Sequence, residues 1–287
     1  MSTDLPIDLR LSEEQRISRE GMRRFASQTM APGARAADEA AAADPGVLAG
    51  IAGFGLTQAL GGAGLPRSPM GNVLACEDLG EGDLSQSLAA LAPLGVVNAL
   101  LDFGDEAQHE AWLPRFASEA PVPAAVALAE PRATFEPGDP HTRARRDGDD
   151  YILDGEKCLI PLVEQCQLFL VVAATDDGPA AFIVEADSPG LSRARQDYMG
   201  LRSAEPGTLT LEGVRVPASQ RLANFDLERL VSLSRIGLAA LATGCCQAVL
   251  EQCVPYALER KAFGEAIARR QSVAMRMAFS MLCRNAR

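Results

Sequence analysis

Residues 147–157 read Asp-Gly-Asp-Asp-Tyr-Ile-Leu-Asp-Gly-Glu-Lys, and this stretch decides the kind of fold. Asp147-Gly148 and Asp154-Gly155 are turn dipeptides, because glycine reaches positive φ without steric cost and aspartate hydrogen-bonds its own turn. The run Tyr151–Leu153 between them is β-prone. The same punctuation returns at Asp177-Gly178, among the apolar runs LFLVVA (168–173), AFIVEA (181–186) and LTLEGVRV (209–216). Short β-prone runs broken by turn signals predict a small antiparallel β-barrel or sandwich over residues 121–223.

Upstream, residues 1–120 contain no convincing strand. Ser12 with Gln15 forms a capping box, and Glu13 and Glu14 suit the positive end of a helix that starts there. Its apolar residues, including Ile17 and Phe25, recur at helical spacing until Pro32, where the run is expected to stop, and more helix follows to about Ser118. Downstream, Asp226 is a helix N-cap, and residues 232–260 are apolar on most of the circumference, with a kink expected at Pro255. Phe263-Gly264 reads as a helix stop. The last helix is expected from about Glu265, with Met275, Phe279 and Met281 in phase. The fold class is therefore α+β: an N-terminal helical domain (1–120), a middle β domain (121–223) and an incomplete C-terminal helical bundle (224–287).

With 287 residues, 47% of them hydrophobic and 23% charged, the chain has enough apolar material for a buried core. A formal net charge of -11 opposes binding to nucleic acid or anionic lipid, so neither is expected as a partner. Seven cysteines form no even disulfide framework, which points to a reducing cytoplasmic setting. His109 and His141 are the only histidines and no CxxC spacing occurs, so no metal site is expected. Residues 1–15 lack the apolar core of a signal peptide. Apolar runs such as Ile236–Cys246 read as shorter than a bilayer span, so no membrane span is expected.

Several strings, in order along the chain, resemble the acyl-CoA dehydrogenase family. LSEEQ (11–15) with FASQTMAPGA (25–34) is similar to the family's opening helix, and GDEAQHEAWLPRFAS (104–118) to its Gly-x-x-x-Gln-x-x-x-x-Leu-Pro segment. ALAEP (127–131) resembles its Leu-Thr-Glu-Pro motif, with Ala129 in place of threonine. DLERLVSLSRIGLAALATG (226–244) and YALERKAFGEAIARRQ (256–271) resemble its first two C-terminal helices. The resemblance implies FAD held between the β unit and the helices, and removal of an α proton and a β hydride from an acyl-CoA or acyl-carrier thioester. It also implies a homo- or hetero-oligomer with a related subunit and a separate electron-transfer acceptor.

The resemblance assigns the flavin contacts to the segments matching Val126–Phe135, including Leu128 and Ala129, and Leu159–Pro161. It assigns Arg235 to the CoA portion, and Arg260, Phe263 and Gln271 to the FAD of a neighbouring subunit. The chain departs from the pattern where the family has Gly-x-Gly-Ser-Asp, since Arg132, Ala133, Thr134, Phe135 and Glu136 stand there. It departs again at Leu159-Ile160-Pro161, where the family has Trp-Ile-Thr, and proline has no amide hydrogen or hydroxyl to donate. Arg235 comes only eighteen positions after Pro217, so the loop before this helix is short. The family's catalytic glutamate falls beyond residue 287 or, in a minority, beside Arg235, where this chain has Ser234. The catalytic residue is therefore unknown. Glu228 lies roughly 9 Å too early along the helix axis and reads as a surface charge; Glu130 reads as an organiser of its turn. Two functional expectations follow: a flavoenzyme subunit whose carboxylate comes from another chain, or a non-catalytic partner of an active homologue with a vestigial flavin pocket.

Overall fold

The structure, a computed structural model, describes residues 11–61, 68–118 and 122–285. The first part is helical: α1 (Glu13–Phe25), α2 (Ala31–Ala40), α3 (Pro45–Ala52), α4 (Leu56–Gly61), α5 (Pro69–Gly80), α6 (Leu84–Phe103) and α7 (Glu106–Trp112). A curled sheet follows, built from β1 (Ala124–Ala127), β2 (Arg143–Asp147), β3 (Asp150–Ile160), β4 (Leu168–Thr175), β5 (Gly178–Glu185), β6 (Leu191–Arg195) and β7 (Gly207–Pro217). The chain then returns to helix in α8 (Leu227–Glu259), forms a short hairpin of β8 (Lys261–Ala262) and β9 (Glu265–Ala266), and enters α9 (Gln271–Asn285). The α+β architecture read from the sequence is the one observed.

Local chemistry sets the helix starts. Ser12 Oγ accepts from Gln15 N at 3.2 Å while Gln15 Oε1 accepts from Ser12 N at 2.9 Å, which completes the capping box. Asp226 Oδ1 accepts from Arg229 N at 3.0 Å and opens α8. Pro32, however, does not end the first helical run. A π turn at Ala26–Met30 widens the helix and delivers Pro32 into the first turn of α2, where a missing amide hydrogen has no helical partner to lose.

The strand order is β1-β4-β2-β3-β7-β6, with β5 on β4. The sheet is mixed rather than purely antiparallel, since β1 and β2 both run parallel to β4. Gln167 N donates to Pro123 O at 2.8 Å, so β1 and β4 start side by side and must run the same way. Asp154-Gly155 is not a turn. It lies within β3, opposite a bulge that β7 makes at Glu212-Gly213, and Gly155 takes φ +147, where a Cβ would fall 2.7 Å from Thr142 Cα. Strand β4 is buried on both faces, which explains its unbroken apolar run. Phe169 and Val171 pack with Phe182, Val184 and Leu211. Leu168, Leu170 and Val172 pack with Val96, Leu100 and Phe103 of α6.

Phe263-Gly264 proves to be the tip of the β8–β9 hairpin rather than a helix stop, and α9 begins only at Gln271. Both tip residues have positive φ, +55 and +87, as a two-residue hairpin turn of right-handed twist requires. A second correction concerns length. Helices α6 and α8 are both long and apolar enough to cross a bilayer, by length and composition alone. Helix α6 lies between the sheet and the helical layer, with Leu91 and Leu94 against Met22, Met30, Ile51 and Leu79. Only 17% of the apolar window of α8 is buried, and Leu233, Ile236, Leu238, Val249, Tyr256 and Leu258 are exposed along it.

The buried edge of α8 meets α5 through backbone. A Cβ at Gly244 would fall 1.9 Å from Glu77 O, and one at Gly80 would fall 2.5 Å from Leu241 O. Neither neighbour is a side chain that can swing away. Gly244→Ala is therefore expected to cost about 1–3 kcal/mol through overpacking. Gly237→Ala on the same helix, where a Cβ meets nothing within 4 Å, is expected to add about 0.5–1 kcal/mol of stability. Thermal unfolding of the two variants should show shifts of opposite sign.

Candidate functional site

Strand β1 leads into Leu128 and Ala129, which are half-buried at the sheet edge. Their carbonyls are both fixed: Lys157 Nζ donates to Leu128 O at 3.2 Å, and Cys158 N donates to Ala129 O at 2.9 Å. The residue behind them is Glu130. Its Oε1 accepts from Thr142 N and from Lys157 Nζ, each at 2.9 Å, and its Oε2 accepts from His141 N at 2.9 Å. Glu130 is thus the organiser of its turn, with its lone pairs committed. Burial alone would raise its pKa, but the Thr142 amide, the Lys157 ammonium and the His141 amide together bring it down to about 2. The Lys157 side chain is fully buried, and that burial lowers its pKa against the opposing pull of Glu130. The sequence reading missed Lys157, although it shares strand parity with the buried Tyr151 and Leu153.

Cys158 joins this turn to Leu159-Ile160-Pro161. Leu159 is 55% exposed at φ +57, a conformation costly for a side chain with a Cβ, while Ile160 is fully buried and Pro161 half-buried. Leu128, Ala129, Leu159 and Pro161 therefore form a partly exposed apolar ledge on a rigid backbone. A surface of this kind offers apolar contact to a flat ring. Its side chains offer no hydrogen-bond donor, so polar contact with such a ring falls to the backbone. Burial, with Glu156 adding to it, raises the pKa of Cys158 and leaves its thiol a poor nucleophile at this position.

The other sequence-predicted residues lie on a different part of the chain. Arg260 closes α8, and its carbonyl accepts from Ile267 N at 2.8 Å. Phe263 is 94% exposed at the hairpin tip, with the Arg270 guanidinium carbon 5.0 Å from its ring centroid. Gln271 is exposed at the start of α9. Arg260, Phe263 and Gln271 thus stand at the entry, the tip and the exit of the hairpin segment. Arg235, Ser234 and Glu228 are exposed on α8. Among the described residues no hydrogen bond or ion pair joins the hairpin group to the ledge.

Residues 12–120, 125–214 and 226–284 match the N-terminal, middle and C-terminal domains of acyl-CoA dehydrogenase. A probable acyl-CoA dehydrogenase of Bacillus subtilis (strain 168) is 33% identical over 292 residues, covering 95% of this chain and 76% of its own length. The mitochondrial isovaleryl-CoA dehydrogenase of Pongo abelii is 32% identical, covering 93% of this chain and 68% of its own. Butyryl-CoA dehydrogenase from Megasphaera elsdenii superposes with a TM-score of 0.84 at 26% identity, covering 96% of this chain and 77% of its own. A glutaryl-CoA dehydrogenase from Mycobacterium smegmatis, in complex with FADH2, superposes with a TM-score of 0.82 at 26% identity over 94% of this chain and 72% of its own.

The Glu130–Lys157 pair generates a mutational and a pH prediction. Lys157→Met strands a buried carboxylate and is expected to cost about 3–5 kcal/mol, whereas the double variant Glu130→Gln/Lys157→Met recovers much of that loss. Because folding depresses the Glu130 pKa from 4.5 to about 2, its contribution is fully present above pH 4.5 and is lost as pH falls toward 2. Over that window the melting temperature of Glu130→Gln should fall less steeply than that of the wild type.

Proposed function

Because this chain belongs to the acyl-CoA dehydrogenase family, whose chemistry is flavin-dependent acyl-CoA oxidation, we propose that it is an FAD-binding subunit that desaturates the α,β bond of an acyl thioester, on CoA or a carrier protein, with its catalytic carboxylate supplied by a partner chain. The observation that carries this reading is the rigid apolar ledge of Leu128, Ala129, Leu159 and Pro161. FAD, when bound, supplies the acceptor for a hydride leaving the β carbon as the α proton is removed.

Each residue of the chain then has a limited task. Leu128, Ala129 and Leu159 hold the flat ring by apolar contact and keep water from its face. Glu130 is no proton acceptor, since its low pKa and committed lone pairs leave it a fixed anion behind the ledge. Arg235 holds the CoA portion through a charge-assisted contact. Arg260, Phe263 and Gln271 reach the FAD of a neighbouring subunit. The 94% exposure of the Phe263 side chain at the hairpin tip supports this. The base that takes the α proton sits on a partner whose helices cover Leu233, Ile236, Leu238 and Phe279, exposed on α8 and α9. Electrons leave to a separate electron-transfer protein.

A second reading, a non-catalytic partner of an active homologue, draws on Ala129 and Pro161, which lack the donors of the family motif, and on the Arg132 side chain packed over Phe135 beside the ledge.

Co-expression with a full-length homologue tests both. A yellow complex whose flavin bleaches on addition of an acyl-CoA is the expected result; a well-assembled colourless complex would favour the second reading. Within a yellow complex, Arg260→Ala is expected to weaken FAD retention by about tenfold or more, the worth of one charge-assisted hydrogen bond. Unchanged flavin occupancy in that variant would remove Arg260 from the site.

A further inference from the structure

Apart from Phe263, every described non-glycine residue with positive φ lies in one of three segments: Ala41 (+52) between α2 and α3, Leu159 (+57) and Leu162 (+46) at the end of β3, and Leu201 (+57) and Glu205 (+47) between β6 and β7. Backbone of this kind persists only where its surroundings over-determine it. One carboxylate joins the three segments. Glu205 Oε1 accepts from Ala43 N at 3.0 Å and from Gln165 Nε2 at 3.4 Å, and its Oε2 accepts from Arg195 Nη1 at 3.4 Å. Arg195 Nη2 donates onward to Ala41 O. The residue before Glu205 reaches the ledge, since Ala204 O accepts from Leu162 N at 2.9 Å. Leu162 O in turn accepts from Gln165 N and Cys166 N, and Cys166 Sγ donates to Pro161 O at 3.5 Å, so Pro161 belongs to one closed turn with Leu162. Behind that turn, Ala43 and Leu48 pack against Ala89, Leu162 and Ala204.

We propose that Glu205 is a positioning residue: it sets the Pro161 end of the ledge from the helical layer, as Glu130 sets the Leu128 and Ala129 end from within the sheet. Its action is indirect. The path runs from the Ala43 amide through the carboxylate to the Glu205 backbone, and from the Ala204 carbonyl to the Leu162 amide. The carboxylate side chain is only 17% exposed, and a charge-assisted bond to a backbone amide is stronger than a neutral one, so a single side chain can hold the helical layer and the turn in register. A turn that needed nothing but positive φ would be served best by glycine. Glutamate at 205 therefore calls for a further reason, and its three donors, each from a different segment, supply one. The placement stands on this geometry alone. Its bearing on a bound ring rests on the flavin reading above.

Two variants of the full chain test this role. Glu205→Gly adopts φ +47 freely and keeps the turn, so the carboxylate is what it loses; Glu205→Gln keeps an oxygen for the Ala43 amide. In hydrogen exchange, the Ala43 and Leu162 amides should open about tenfold more often in Glu205→Gly, the worth of one hydrogen bond to a charged group. The amides of the β4–β5 ladder should not change, and Glu205→Gln should stay close to the wild type. A Leu162 amide as protected in Glu205→Gly as in the wild type overturns the proposal, as does one that opens equally in both variants. A Leu162 amide that opens only together with the β4–β5 ladder overturns it too, because that is the behaviour of a carboxylate that serves stability alone. FAD release from the complex with a full-length homologue, measured where all three proteins remain folded, should quicken about tenfold in Glu205→Gly and not in Glu205→Gln, following the same hydrogen bond. A release rate that ignores an opened Leu162 overturns the link to the ledge. If no complex holds FAD, the flavin reading fails and hydrogen exchange alone decides the role of Glu205.

Discussion

The buried pair of Glu130 and Lys157 is the interaction on which the candidate site depends. Taking two charges out of water costs several kcal/mol per ion unless every remaining lone pair and proton finds a partner. Here one carboxylate gathers two amides and an ammonium, and the same ammonium gives a second proton to the Leu128 carbonyl. The pair thereby ties the exit of β1 to the start of β2 and the end of β3. It also fixes both ends of loop 131–141 with one side chain, since the loop begins after Glu130 and closes at His141 and Thr142. The interior of that loop can then carry Arg132 and Phe135 without moving Leu128 or Ala129.

A second constraint orients the C-terminal helices. Gly80 and Gly244 let the backbones of α5 and α8 touch, and that contact selects which edge of α8 is buried. Nearer the start of the same helix, Leu233, Ile236 and Leu238, together with Arg235, remain exposed. The hairpin continues the outward course and presents Phe263 at its tip. Among the described residues no hydrogen bond or ion pair ties this hairpin to Leu128, Ala129, Leu159 or Pro161.

Features governed by local chemistry were legible in the sequence. The capping box at Ser12 and Gln15, the N-cap at Asp226 and the hairpins at Asp147-Gly148 and Asp177-Gly178 need only their own neighbours. The misreadings share a different cause. Asp154-Gly155 stays inside β3 because β7, its partner, takes up the extra residue and Thr142, distant in sequence, packs against Gly155. Pro32 continues a helix because a π turn rotates it into a first-turn position, and Phe263-Gly264 makes a hairpin because strand pairing follows it. The buried Lys157 was within reach, since strand alternation puts it in phase with Tyr151 and Leu153; the lysine itself argued for the surface. The Arg132–His141 contact was not, because it joins residues nine apart through a loop with no regular structure.

The ledge and its departures bear on each other. Ala129 and Pro161 have lost side-chain donors from opposite edges of the ledge, yet the ion pair that shapes it is intact. A well-packed apolar pair in place of Glu130 and Lys157 would often be neutral or stabilising by a few kcal/mol, so stability alone does not call for these two charges. What they provide is geometry: two fixed carbonyls, a strained Leu159 held open to solvent, and a fixed anion behind them. A chain with no use for that surface has little physical reason to bear the desolvation of both groups. The pair therefore fixes the shape of the surface at Leu128 and Ala129, whose side chains offer apolar contact alone.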